Sequence, residues 1–146
     1  MSTTAHKTLP LDSGGVAVSG TTPRDVTELA GRLLLATLFL VAGVGKIASY
    51  AATAGYMTSA GVPGSLLPAV VATEILGGLA IAAGWQTRVT AFLLAGFTLL
   101  SALIFHNDLG DQVQLVMLLK NVSIAGGLLL LVANGAGRLS VDGRAR

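Results

Sequence analysis

The sequence predicts an all-α integral membrane protein, a bundle of four helices that each cross the bilayer. Three observations predict it. First, the 146 residues are 53% hydrophobic and 11% charged, whereas an ordinary soluble domain carries about 25% charged residues. A soluble chain this short could not hide so much apolar surface, and its mean hydropathy is +0.77. Second, the apolar residues gather in four runs, each close to the roughly 20 residues needed to span the hydrocarbon. Third, Lys and Arg fall almost entirely on one side of the alternating topology that four crossings produce.

The elements follow in chain order. Met1 to Glu28 is polar and rich in Ser, Thr and Gly, and a disordered cytoplasmic tail is expected there. Residues 29–133 form the membrane domain. Its first apolar run is Leu29 to Ser49. Small residues after this run imitate a signal peptide. However, Lys46 interrupts the place where a cleavage region should begin, and the run starts well inside the chain. The second run is Leu66 to Ala83, ending at Gly84. The third is Val89 to Phe105, with room to extend into Gln86 and Thr87. The fourth is Val113 to Ala133. Residues 134–146 make a short, polar, basic tail.

With the N-terminus in the cytoplasm, Lys7, Arg24, Arg32, Arg88, Arg138, Arg144 and Arg146 fall inside and only Lys46 falls outside. Both termini are therefore expected in the cytoplasm. The outer loops are then Tyr50 to Ser65 and His106 to Gln112. Arg32 and Arg88 read as boundary anchors, and Trp85, Tyr50 and Tyr56 as members of the aromatic belts.

The second and fourth runs share the element GGL, at Gly77, Gly78, Leu79 and at Gly126, Gly127, Leu128. Two readings stay open: the bundle is two pseudo-symmetric helical hairpins, or the match is chance among common residues. Either way, paired glycines let helix backbones approach closely.

Polar groups inside the membrane carry the functional question. Glu74 and Lys120 lie about 10 to 12 Å from the outer ends of their helices at 1.5 Å per residue. A charge at mid-membrane costs roughly 2.5 to 3.5 kcal/mol even on the gentler scales, so an ion pair between the two is expected. Asn121 follows Lys120, while His106 and Lys46 ring the outer mouth. Together these five residues suggest a small polar cavity opening outward. The plainer readings are helix glue for Glu74 and Lys120, a snorkelling side chain for Lys46, and an interfacial histidine for His106.

Several function classes are excluded. The chain has no cysteine and two histidines, and His6 sits in the polar tail. Disulfides, thiolate metal sites, iron–sulfur clusters, zinc sites and a haem held by two histidines of one chain therefore lack ligands. No phosphate loop, nucleophile elbow or paired-carboxylate motif is present, so no catalytic residue is assigned. A net charge of +2 is too small to suggest nucleic acid as a partner.

The stretch RLLLATLFLVAGVGKI of the first run resembles the opening of the DoxX family of small bacterial membrane proteins. YMTSAGVP, EILGGLAIAAGWQTR, FHND and LLKNVSIAGGLLLL continue the resemblance in order, over Gly31 to Val132. The resemblance implies a four-helix bundle in the bacterial cytoplasmic (inner) membrane, loosely associated with redox partners. Some relatives are subunits of a thiosulfate:quinone oxidoreductase, and others belong to complexes that resist oxidative stress. It leads to an accessory or anchoring subunit of a membrane oxidoreductase system. Glu74, Lys120 and Asn121 would then face a quinone headgroup or small sulfur compound. No covalently held cofactor is implied. Expected partners are the lipid bilayer, a membrane or peripheral redox protein, and further copies of the chain. The alternative is a lipid or small-solute binding or transport module without redox activity.

Overall fold

The computed structural model describes residues 20–144. Among them, four helices are long and apolar enough to cross a membrane: α1 (Pro23–Ala48), α3 (Leu67–Ala83), α4 (Thr87–Phe105) and α5 (Gln112–Asn134). Two short helices accompany them, α2 (Tyr50–Ser59) and α6 (Val141–Arg144). A single 3-10 turn at Gly64–Leu66 leads directly into α3. Large apolar side chains such as Leu34, Leu76, Phe92 and Leu130 are exposed on all four long helices. In lipid that exposure costs nothing, because acyl chains are as apolar as leucine.

Helix α1 starts six residues before its apolar run. Thr22 and Asp25 make a capping box: the Thr22 hydroxyl accepts from Asp25 N–H and the Asp25 carboxylate accepts from Thr22 N–H at 2.8 Å. Pro23 at the first turn adds a preset φ. Part of the expected N-terminal tail is thus helical, and its residues 1–19 lie outside the described residues.

Helix α1 packs chiefly on α3, and α4 on α5, while α3 also meets α4. The fourth side, between α1 and α5, is the open one. Glycines bring α3 close to both of its neighbours. A Cβ at Gly43 would come within 2.7 Å of Ile75, and one at Gly78 within 3.0 Å of Leu40, so α1 and α3 interlock at backbone distance. Gly77 is equally tight against Leu94 of α4. The second glycine pair behaves differently: Gly126 faces open space, and Gly127 meets Leu35 of α1 only at ordinary contact distance. The core comprises Ala36, Phe39, Ile81, Leu94, Ile124 and Leu128, with smaller residues between them.

The two ends of the bundle are built differently. At the end where α1 begins, residues 135–144 fold back onto the helices. Arg32 is fully buried there and its guanidinium donates to the carbonyls of Ala136 and Leu139. The Asp142 carboxylate accepts from the N–H groups of Gln86 (2.9 Å) and Thr87 (2.8 Å), capping α4 from the far end of the chain. Gly84 (φ +69°) and Gln86 (φ +48°) make the tight turn that this cap stabilises. At the opposite end α2 lies across the bundle. Its Tyr56 ring stacks on Phe105, and the Tyr56 hydroxyl donates to the Phe105 carbonyl at 3.3 Å.

Candidate functional site

Under α2, the four long helices enclose a cavity of about 330 Å³. Its polar lining comes from every direction: Lys46 from α1, Glu74 from α3, Thr98 from α4, and Lys120 and Asn121 from α5. Phe39, Phe97 and Ile124 supply apolar walls, and Tyr56 and Met57 of α2 form the roof. His106, just beyond α4, also reaches the lining. The five polar residues singled out in the sequence therefore face one space. Phe39 and Ile124 are buried, and Leu35 meets Gly127 deeper in the seam, so the cavity has a closed floor.

Glu74 is buried, and its Oε1 accepts from Lys46 Nζ at 2.7 Å. The expected pair with Lys120 does not form. Lys120 Nζ lies 3.3 Å from Met117 Sδ, on its own helix, and no carboxylate among the described residues approaches it. The reason is packing. Helix α3 rests against α1, where the Gly43 backbone lies close to the Cβ of Glu74, whereas α5 rests against α4. Equal depth in the membrane did not bring Glu74 and Lys120 onto neighbouring faces. Lys46, read as a snorkelling residue, instead turns inward to the carboxylate.

Two buried polar atoms of the cavity have no partner: Glu74 Oε2 and Thr98 Oγ1. An unsatisfied polar atom in an apolar interior costs about 1 to 3 kcal/mol, so each is a place where a ligand atom would be welcome. Thr98 is 4% exposed, and Ser101 lines the cavity one turn further along the same helix. Sequence reasoning missed Thr98 because an uncharged hydroxyl is ordinary in such a segment, which also holds Thr90 and Ser101. Its i−4 position is Leu94, on the core face, and that periodicity was the available signal. His106 is already engaged, its Nδ1 lying 2.7 Å from Gln114 Oε1. Lys120 lines the cavity and is also exposed on the outer surface of α5, so the cavity opens sideways beside it, through the α1–α5 seam. Among the described residues no cluster of His, Asp or Glu could hold a metal ion.

Four apolar spanning helices around a small polar cavity define a multi-pass membrane protein with an internal cleft. The chain belongs to the DoxX family, whose profile matches residues 27–107. It is 49% identical to the inner membrane protein YqjF of Escherichia coli (strain K12) over 118 residues, covering 81% of this chain and 91% of that protein. It is 37% identical to the inner membrane protein YphA of the same organism over 128 residues, covering 83% of this chain and 91% of that protein. No solved structure matches the chain.

Proposed function

We propose that this protein is the ligand-binding, membrane-anchored subunit of an oxidoreductase system in a bacterial inner membrane, with both termini in the cytoplasm. The cavity holds a quinone headgroup or a small sulfur compound, and a partner protein carries the redox centre. The observation that carries this reading is the pair of unsatisfied buried atoms, Glu74 Oε2 and Thr98 Oγ1, in a cavity walled by aromatic rings. A quinol hydroxyl can donate to Glu74, and a quinone carbonyl can accept from Thr98, Asn121 or Lys120. The volume sits at the lower end of the range for small-molecule sites, which suits a headgroup and leaves its tail outside. The chain has no cysteine, so electron transfer is assigned to the partner. The basic residues near the ends of α1 and α5 support the cytoplasmic orientation.

The sideways opening at Lys120 favours a second reading, a binding or transport module for a lipid or small solute. Purification in mild detergent separates the two. A stoichiometric redox protein, with quinone binding weakened in Thr98→Val, supports the first. Copies of this chain alone, carrying lipid, support the second and overturn the first.

A further inference from the structure

The charges around the cavity do not cancel. Lys46 and Glu74 neutralise each other through their 2.7 Å contact, which leaves Lys120 as a net positive charge. Lys120 lies about 12 Å along α5 from Gln112, at 1.5 Å per residue, well inside the apolar span. A lone ammonium at that depth is costly, and such residues mark a binding path or await a partner. Its position is specific as well. It is exposed on the surface of α5 and it lines the cavity, so it stands at the threshold of the side opening. Deeper in, Glu74 Oε2 can only accept a hydrogen bond while it is ionised and paired to Lys46, and the Thr98 hydroxyl can donate or accept.

Resting on the reading of this cavity as a ligand site, we infer that it also takes an anionic amphiphile that carries a hydroxyl or N–H donor. The negative oxygen meets Lys120 and the donor turns to Glu74 Oε2. The tail leaves through the open seam between α1 and α5, past Leu38 and Ala42. The opening lies at membrane depth, so the ligand arrives from the lipid. The small volume admits the head and excludes a whole lipid. A ligand with the charge and no donor would set its oxyanion against the Glu74 carboxylate, and a neutral one would meet Lys120 only as a hydrogen-bond donor.

The test is a titration of the detergent-purified protein, read by native mass spectrometry, with α-hydroxyhexadecanoate, hexadecanoate, their methyl esters and lactate. The hydroxy acid should bind once per chain, about tenfold more tightly than its ester, the size of one hydrogen bond to a charged group. Lys120→Gln should remove the preference for acid over ester, and Lys120→Arg should keep most of it. Glu74→Gln should remove the preference for hydroxy acid over plain acid. Because Lys120 is exposed and pairs with no carboxylate, its variants fold whatever becomes of Glu74→Gln. Equal binding of acid and ester, or an unchanged preference in Lys120→Gln, overturns the inference, and so does lactate competing as well as the long-chain acid. A short-tailed quinone in the same titration scores the earlier proposal separately. Quinone bound, with acid and ester alike, overturns only the present inference. Hydroxy acid bound without quinone overturns only the quinone reading.

Discussion

Lys46 holds the Glu74 carboxylate in a setting where, without it, the charge would be buried and unpaired. The Glu74 side chain is 8% exposed and that of Lys46 is 27%, so water screens the contact little. Removing one member of a buried pair leaves the other uncompensated, at about 3 to 5 kcal/mol. Lys46→Met should therefore lower stability in detergent far more than Lys120→Met, which should change it by about 0.5 kcal/mol or less. A double-mutant cycle of Lys46→Met and Glu74→Gln should show strong coupling. The same cycle with Lys120 in place of Lys46 should be additive. Coupling to Lys120 and none to Lys46 would contradict the packing described above. Thr98 offers the opposite sign. Replacing an unsatisfied buried hydroxyl with an isosteric methyl should leave the empty protein as stable or more stable, by about 1 kcal/mol. A marked fall in the melting temperature of Thr98→Val would show that the hydroxyl already has a partner.

Among the elements, the two glycine pairs look alike in sequence and differ in the bundle. Gly43 and Gly78 let α1 and α3 touch, and Gly126 touches nothing. Gly43→Ala should cost about 1 to 3 kcal/mol by overpacking against Ile75. Gly126→Ala should be neutral, or stabilising by up to about 1 kcal/mol through helix propensity. Thermal unfolding of the two variants checks this, and equal losses would show that Gly126 lies against a neighbouring helix as Gly43 does. The four spanning helices were legible because twenty apolar residues in lipid have one outcome. Other elements were not. Helix α2 lies in a segment with no amphipathic period to read, and its Tyr56–Phe105 stack joins residues far apart in the chain. The early start of α1 was written in the Thr22–Asp25 box, a polar signal that an apolar count passes over.

For the whole molecule, the start of α1 and the C-terminal segment share one end of the bundle. Arg32 binds the carbonyls of Ala136 and Leu139, and Arg138 lies 3.6 Å from Asp25. Arg32 was read as a boundary anchor because composition shows a cation near a membrane edge and not what it will touch. Its burial predicts that Arg32→Lys does not rescue Arg32→Ala, since a lysine lacks the planar fork that reaches two carbonyls. Recovery of the melting temperature by Arg32→Lys would contradict this. The chain has no native cysteine, so topology can be measured cleanly. Val141→Cys should be protected from an impermeant reagent in intact cells, and Ser59→Cys should react. The reverse pattern would invert the orientation. Five polar positions of the cavity could be picked out because charge is rare in such helices, yet their pairing could not, because it depends on which helices are neighbours.

A ligand head in the cavity under α2, as proposed above, is open to direct measurement. A short-tailed quinone bearing a diazirine on its ring tests it most directly, by cross-linking in membranes and mapping the modified residues. Labelling should fall on Phe97, Thr98 and Ile124, should drop when unlabelled quinone is added, and should weaken in Thr98→Val. Labelling confined to lipid-facing residues such as Phe92, Leu100 and Leu130, with no competition, would contradict the account.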